Sequence, residues 1–228
     1  MASNPARLEI DHRTIKLFIG LIAVFLGSVT GLLSNATITS ISESYYNNDW
    51  GRNILVGSLT AIAAFLLAYN GRSRLEMVLS KIASISAIGV AMFPCECRIH
   101  PHPFPIHGFS AATMFIVLAM FCYMFYARAV KKPGPEAKRR AFLYFTSGLA
   151  IVVSILALGI DNFSNGAITA VIPRLVFYCE TLGLVAFGVT WLAASHVLPV
   201  VTSKEEKYAL FSKTGNANGE SVVPLQPT

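Results

Sequence analysis

The chain has 228 residues, 54% of them hydrophobic and only 13% charged, about half the charge of an average soluble domain. That composition excludes an ordinary water-soluble globular protein, and apolar runs of membrane-spanning size leave no stretch for a separate soluble domain. The formal net charge of +6 does not point to nucleic acid, because the basic residues lie between apolar runs, where they suit anionic membrane lipids and topology signals.

In chain order, the first apolar segment, 15–34, follows Arg13 and Lys16 and ends at Ser34, Asn35 and Ala36. A signal peptide has a similar outline, but the apolar part exceeds an ordinary h-region, so the segment reads as a first membrane helix. Ala23, Gly27 and Gly31 recur along it at i, i+4 and i+8, a spacing that lets helices approach closely in lipid. The polar stretch 40–53 then brings Glu43, Asp49 and Arg52 together with Tyr45, Tyr46 and Trp50. These aromatics suit an interfacial belt or, alternatively, the lip of a ligand site holding the three charged groups. Segments 54–69 and 78–94 are short, and reach spanning length by borrowing flanking residues, by tilting, or by snorkelling of Arg52 and Lys81. Ala83, Ala87 and Ala91 repeat the small-residue spacing.

The next connection reads C-x-C-x2-H-x-H-x4-H, through Cys95, Cys97, His100, His102 and His107. Thiolates and imidazoles together suit zinc or copper, although this spacing matches no structural zinc motif and the intervening prolines limit convergence. The competing readings are free thiols, or a disulfide from Cys95 or Cys97 to Cys179 near the outer end of the last segment. Cys95 and Cys97 are too close in sequence to be expected as each other's partners.

Segments 106–126, 141–160 and 171–195 complete six spans. They lack the alternation of barrel strands, so the expected fold is an all-α, six-transmembrane-helix bundle. The basic loop 128–140, with Pro133, Gly134 and Pro135 at its centre, is expected to be irregular, and the tail beyond 202 to be disordered. The domain organisation is therefore a short N-terminus (1–14), a membrane domain (15–197) and a tail (198–228). With six spans, fifteen of the eighteen Lys and Arg residues fall on one side, which makes that side cytoplasmic and puts both termini there.

Two ionisable residues lie inside spans: His107 at the start of the fourth and Glu180 in the sixth. A carboxylate at that depth is costly unless it is paired, protonated or facing a cavity. Asp161 and Arg174 share the outer level, so His107, Glu180, Asp161 and Arg174 are expected to form one outward-opening polar pocket. A buried hydrogen-bonded pair that fixes helix register is the alternative.

The polar segment from Thr39 to Arg52, the helix start His107-Gly108-Phe109-Ser110-Ala111-Ala112 and Glu180 in the last span together resemble the six-span membrane proteins of the DRAM, Frag and Sfk type. The resemblance covers roughly residues 15 to 197. It implies a small bundle acting in lipid organisation, membrane-protein support or trafficking, with no agreed catalytic mechanism. There is also a resemblance to the seven-span alkaline ceramidases and progestin receptor-like proteins, whose metal hydrolase site uses histidines within spans. This chain departs from it in having six spans and no His-x3-His pair in the last helix. The expected function is non-catalytic binding of a membrane lipid, or of another membrane protein, through the outer pocket. A metal-dependent lipid hydrolase and a small-solute or metal transporter are the alternatives.

Overall fold

The computed structural model describes residues 12–34, 37–47, 50–95 and 105–202. Six helices, α1 (His12–Leu33), α2 (Trp50–Ala68), α3 (Arg74–Met92), α4 (Ile106–Val130), α5 (Pro135–Phe163) and α6 (Leu175–Ala194), carry the fold, with a 3₁₀ turn (Ser42–Tyr46) between α1 and α2 and no strand among the described residues. All six are long and apolar enough to cross a membrane. The chain is thus a multi-pass helical membrane protein, in which each span satisfies its own backbone where water is absent.

Consecutive helices pack side by side, α1 closes the ring against α6, and α4 also touches α6. The bundle has two ends. The basic end carries the start of α1, the α2–α3 and α4–α5 connections and the end of α6. The capped end carries the 3₁₀ turn and the α3–α4 and α5–α6 connections. Phe142, Phe145, Leu149, Val153 and Leu156 are exposed on α5, an apolar face suited to lipid.

The small-residue stripe of α1 faces inward as expected. A Cβ on Gly27 would lie 2.8 Å from Thr181 Oγ1, and one on Gly31 would lie 3.1 Å from the Phe177 ring. The tightest approach of α1 to α6 is two turns earlier, where a Cβ on Gly188 would meet the Gly20 carbonyl at 2.7 Å. Backbone touches backbone there, so α1 and α6 reach a separation that only glycines allow. Ala83, Ala87 and Ala91 are likewise buried within the bundle.

Helix boundaries differ from the sequence expectation in several places. The basic loop is largely helical, and only residues 131–134 separate α4 from α5. Gly134 turns the chain at φ 102° and Pro135 opens α5 in its first turn, where a missing N–H costs nothing. α6 begins at Leu175 instead of 171, because Asp161 takes the N–H groups of Ile168 (2.9 Å) and Thr169 (2.8 Å) and folds the preceding segment into turns. The Lys81 ammonium donates to the Leu67 carbonyl, the Tyr69 carbonyl (3.3 Å) and Asn70 Oδ1 (3.2 Å), closing the end of α2.

Candidate functional site

At the capped end the chain from Ile38 to Tyr46 folds over α6 and the end of α3. Ser40 Oγ accepts from Glu43 N–H at 2.9 Å, and Glu43 Oε2 accepts from Thr39 N–H (2.6 Å) and Thr39 Oγ1 (2.7 Å). This resembles a Ser-x-x-Glu capping box at the entry to the 3₁₀ turn, except that the carboxylate takes the N–H of the residue before the serine. One face of α6 then holds the segment. Arg174 Nε donates to the Ile38 carbonyl (3.1 Å), Phe177 N–H to the Thr39 carbonyl (3.0 Å), and Glu180 accepts from Ile41 N–H (2.6 Å) and Ser42 Oγ (3.0 Å). Tyr45 and Tyr46 reach the carbonyls of Met92 and Cys95. Arg52 stacks 4.7 Å over the Tyr45 ring.

The predicted site residues are therefore gathered at one end but divided among separate tasks. Glu180 meets the cap segment instead of His107. His107 Nδ1 lies 2.8 Å from the Phe93 carbonyl, tying the start of α4 to the end of α3. Arg174 acts on the same segment as Glu180 through its neighbour Ile38. Asp161 belongs to the α5–α6 turn, where its second oxygen also accepts from Thr169 Oγ1. Behind the cap a cavity of about 30 Å³ lies among apolar side chains with Ser42 and Glu180 at its edge, a volume of two or three waters. Asp49 lies outside the described residues.

Of the alternatives open for the cysteines, a bridge to Cys179 is not formed: Cys95 is disulfide-bonded, whereas Cys179 and Cys122 are free and buried. A disulfide-bonded Cys95 offers no thiolate to zinc or copper. No group of three potential metal ligands occurs among the described residues. Cys97, His100 and His102 lie outside them.

The basic end holds a site that the sequence reading did not single out. A cavity of about 60 Å³ is lined by Lys16, Arg72, Arg128, Lys132, Arg140 and His196, with Phe125 and Tyr144 as apolar walls. Five connected parts of the fold supply the cations: α1, the α2–α3 turn, α4, the α4–α5 turn and α5. Two of them are interior, Lys16 at 8% exposure and Arg140 at 5%. Arg140 Nη1 sits 3.2 Å from His196 Nδ1, and His196 itself has a left-handed backbone at φ 63° just beyond α6. The Lys16 ammonium makes no hydrogen bond or ion pair among the described residues. It lies over the Tyr69 and Phe125 rings at 5.5 and 5.2 Å.

Among the described residues, one carboxylate sits beside this cavity. Glu76 is the third helical residue of a second Ser-x-x-Glu box, its N–H capped by Ser73 Oγ at 3.2 Å. Its oxygens are fully engaged, with Arg128 in an ion pair and with Arg72 N–H and Tyr69 Oη at 3.1 Å each. Burial, and then the Glu76 charge, hold the Tyr69 phenol well above its ordinary range, so it stays a neutral donor. Behind the cavity Trp191 packs against Phe125, Tyr69 and Phe121 at 6.0, 5.1 and 5.5 Å. This aromatic layer separates the charged end from the apolar core.

The chemistry of the two ends differs accordingly. The capped end engages Glu43, Glu180 and Asp161 with backbone and hydroxyl groups of its own loops, while the basic end has, among the described residues, a cavity with several cations and one engaged carboxylate, the electrostatic form of an anion site. No protein-family model matches the chain, and neither a curated protein nor a solved structure matches it.

Proposed function

We propose that this chain is a non-catalytic membrane protein, with both termini in the cytoplasm, that binds an anionic membrane lipid at its basic end. The observation that carries the reading is Lys16, an ammonium more than nine-tenths buried and without an ion pair among the described residues, facing a cavity shared with four other cations. A buried cation without a counter-ion is expensive, and an anionic ligand is the economical way to offset it. The fifteen-to-three partition of basic residues supports placing this end at the cytoplasmic leaflet, where anionic lipids and positive residues meet. Membership of the DRAM, Frag and Sfk type is part of the same proposal, and fits a role in lipid organisation. The outward pocket has less support as the binding site, since Glu180, Asp161 and Arg174 are each engaged by loops of their own chain.

The test is lipid retention by the full chain in nanodiscs that contain phosphatidylcholine with or without phosphatidylglycerol, read by native mass spectrometry. The anionic lipid is expected to be retained in preference to the neutral one, and Lys16→Gln to weaken that preference about fivefold, as one charge near a membrane surface would. Equal retention of both lipids by the wild type would refute the proposal.

A further inference from the structure

We infer that the basic cavity is a site for a phosphomonoester group, a dianion with three terminal oxygens, in preference to the singly charged phosphodiester of most anionic lipids. This rests on the reading of the basic end as an anionic-lipid site and narrows it to one headgroup chemistry.

Charge is the first argument. The cavity is lined by Lys16, Arg72, Arg128, Lys132 and Arg140, and the neighbouring carboxylate, Glu76, is already engaged by Arg128, Tyr69 and the Arg72 N–H. A phosphodiester carries one negative charge, whereas a phosphomonoester carries about 1.5 to 2 at neutral pH. The dianion therefore offsets more of the positive charge at Lys16 and Arg72, neither of which has a side-chain ion pair among the described residues.

Shape is the second. At about 60 Å³ the cavity has room for roughly four to six water-sized groups, at about 10–15 Å³ each. That is enough for one phosphate tetrahedron. A diester must pass a chain out of the site in two directions, while a monoester needs one. The donors also approach from five parts of the fold, which favours three free oxygens over two.

A phosphomonoester could come from a lipid headgroup or from soluble phosphate, and the experiment separates them. The full chain in phosphatidylcholine nanodiscs is titrated with short-chain phosphatidic acid, with short-chain phosphatidylglycerol and with inorganic phosphate, and dissociation constants are measured calorimetrically. Phosphatidic acid is expected to bind at least tenfold more tightly than phosphatidylglycerol. Lys16→Gln and Arg72→Gln should each remove most of that preference, Lys16→Arg should keep it, and Lys138→Gln, exposed and outside the cavity, should leave it intact. If Lys16→Gln does not fold, Arg72→Gln at the exposed rim carries the comparison. Displacement by inorganic phosphate at concentrations similar to the lipid would uphold the phosphomonoester chemistry and assign it to the soluble ion; no displacement would assign it to the lipid. Equal affinity for phosphatidic acid and phosphatidylglycerol, both above the neutral lipid, would overturn this inference and leave the lipid-binding proposal standing. No binding of either anionic lipid would overturn both.

Discussion

The two ends of the bundle use the same local device and put it to different use. Ser40 and Glu43 at one end, and Ser73 and Glu76 at the other, each form a Ser-x-x-Glu box whose carboxylate reaches back to the N–H just before the capping serine. At the capped end the neighbouring acids continue in this style. Glu180 closes on Ile41 and Ser42, and Asp161 on Ile168 and Thr169. At the basic end Glu76 is surrounded by cations that outnumber it. An ionisable side chain near a bilayer is therefore not by itself a sign of a ligand site. What distinguishes the ends is whether backbone groups of the same chain use up the charge.

That contrast predicts different mutational behaviour. The largest loss of stability is expected for Glu180→Ala, which leaves the Ile41 N–H and the Ser42 hydroxyl without their acceptor and should cost about 3 kcal/mol. Glu180→Gln, which keeps one acceptor oxygen, should cost roughly half as much. Thermal unfolding of the two variants in one detergent checks the order, and a neutral Glu180→Ala would mean that the cap does not hold α6. Next comes Gly188→Ala, where the new methyl meets the Gly20 carbonyl on the facing helix at 2.7 Å. Backbone cannot rotate away, so a loss of about 2 kcal/mol is expected. Gly57→Ala is the control, since nothing lies within 4 Å of a Cβ there. Asp161→Ala should cost less than Gly188→Ala and act locally. Amide exchange should rise at Ile168 and Thr169 with little change elsewhere, and a uniform rise across α5 and α6 would argue against so local a role.

Much of the fold was legible in the apolar runs, since helical spans in lipid leave few alternatives. The inward stripe Ala23-Gly27-Gly31 was legible from spacing alone. The ends of helices were harder: Pro135 could be read as part of a loop or as the first turn of α5, and the position of Gly134 and the helix-forming run after it decided for the helix. Glu180 was legible as costly, but its partners were not. They are a backbone N–H and a hydroxyl roughly 140 residues away, and residue type alone does not say where backbone donors go. The Ser40-x-x-Glu43 pattern was a signal for the cap that went unused. The basic cavity was hidden because its residues were counted as topology charges. Helical register was the available clue: Lys16 lies on the same buried face as Ile19, Gly20 and Ala23, and Arg140 on that of Ala137, Tyr144 and Ile151.

The central claim is that the charge at the basic end is kept for an anionic ligand and not for the fold. Lys16→Met tests it most directly, because methionine keeps the volume and removes the ammonium. Melting temperatures of wild type and variant are compared in phosphatidylcholine nanodiscs and in nanodiscs containing phosphatidylglycerol. In the neutral lipid the variant should be as stable as the wild type or slightly more so, since an unpaired buried cation has been removed. In the anionic lipid the wild type should gain several degrees by ligand linkage and the variant clearly less. A variant strongly destabilised in neutral lipid, or one that gains as much as the wild type from the anionic lipid, would contradict the claim.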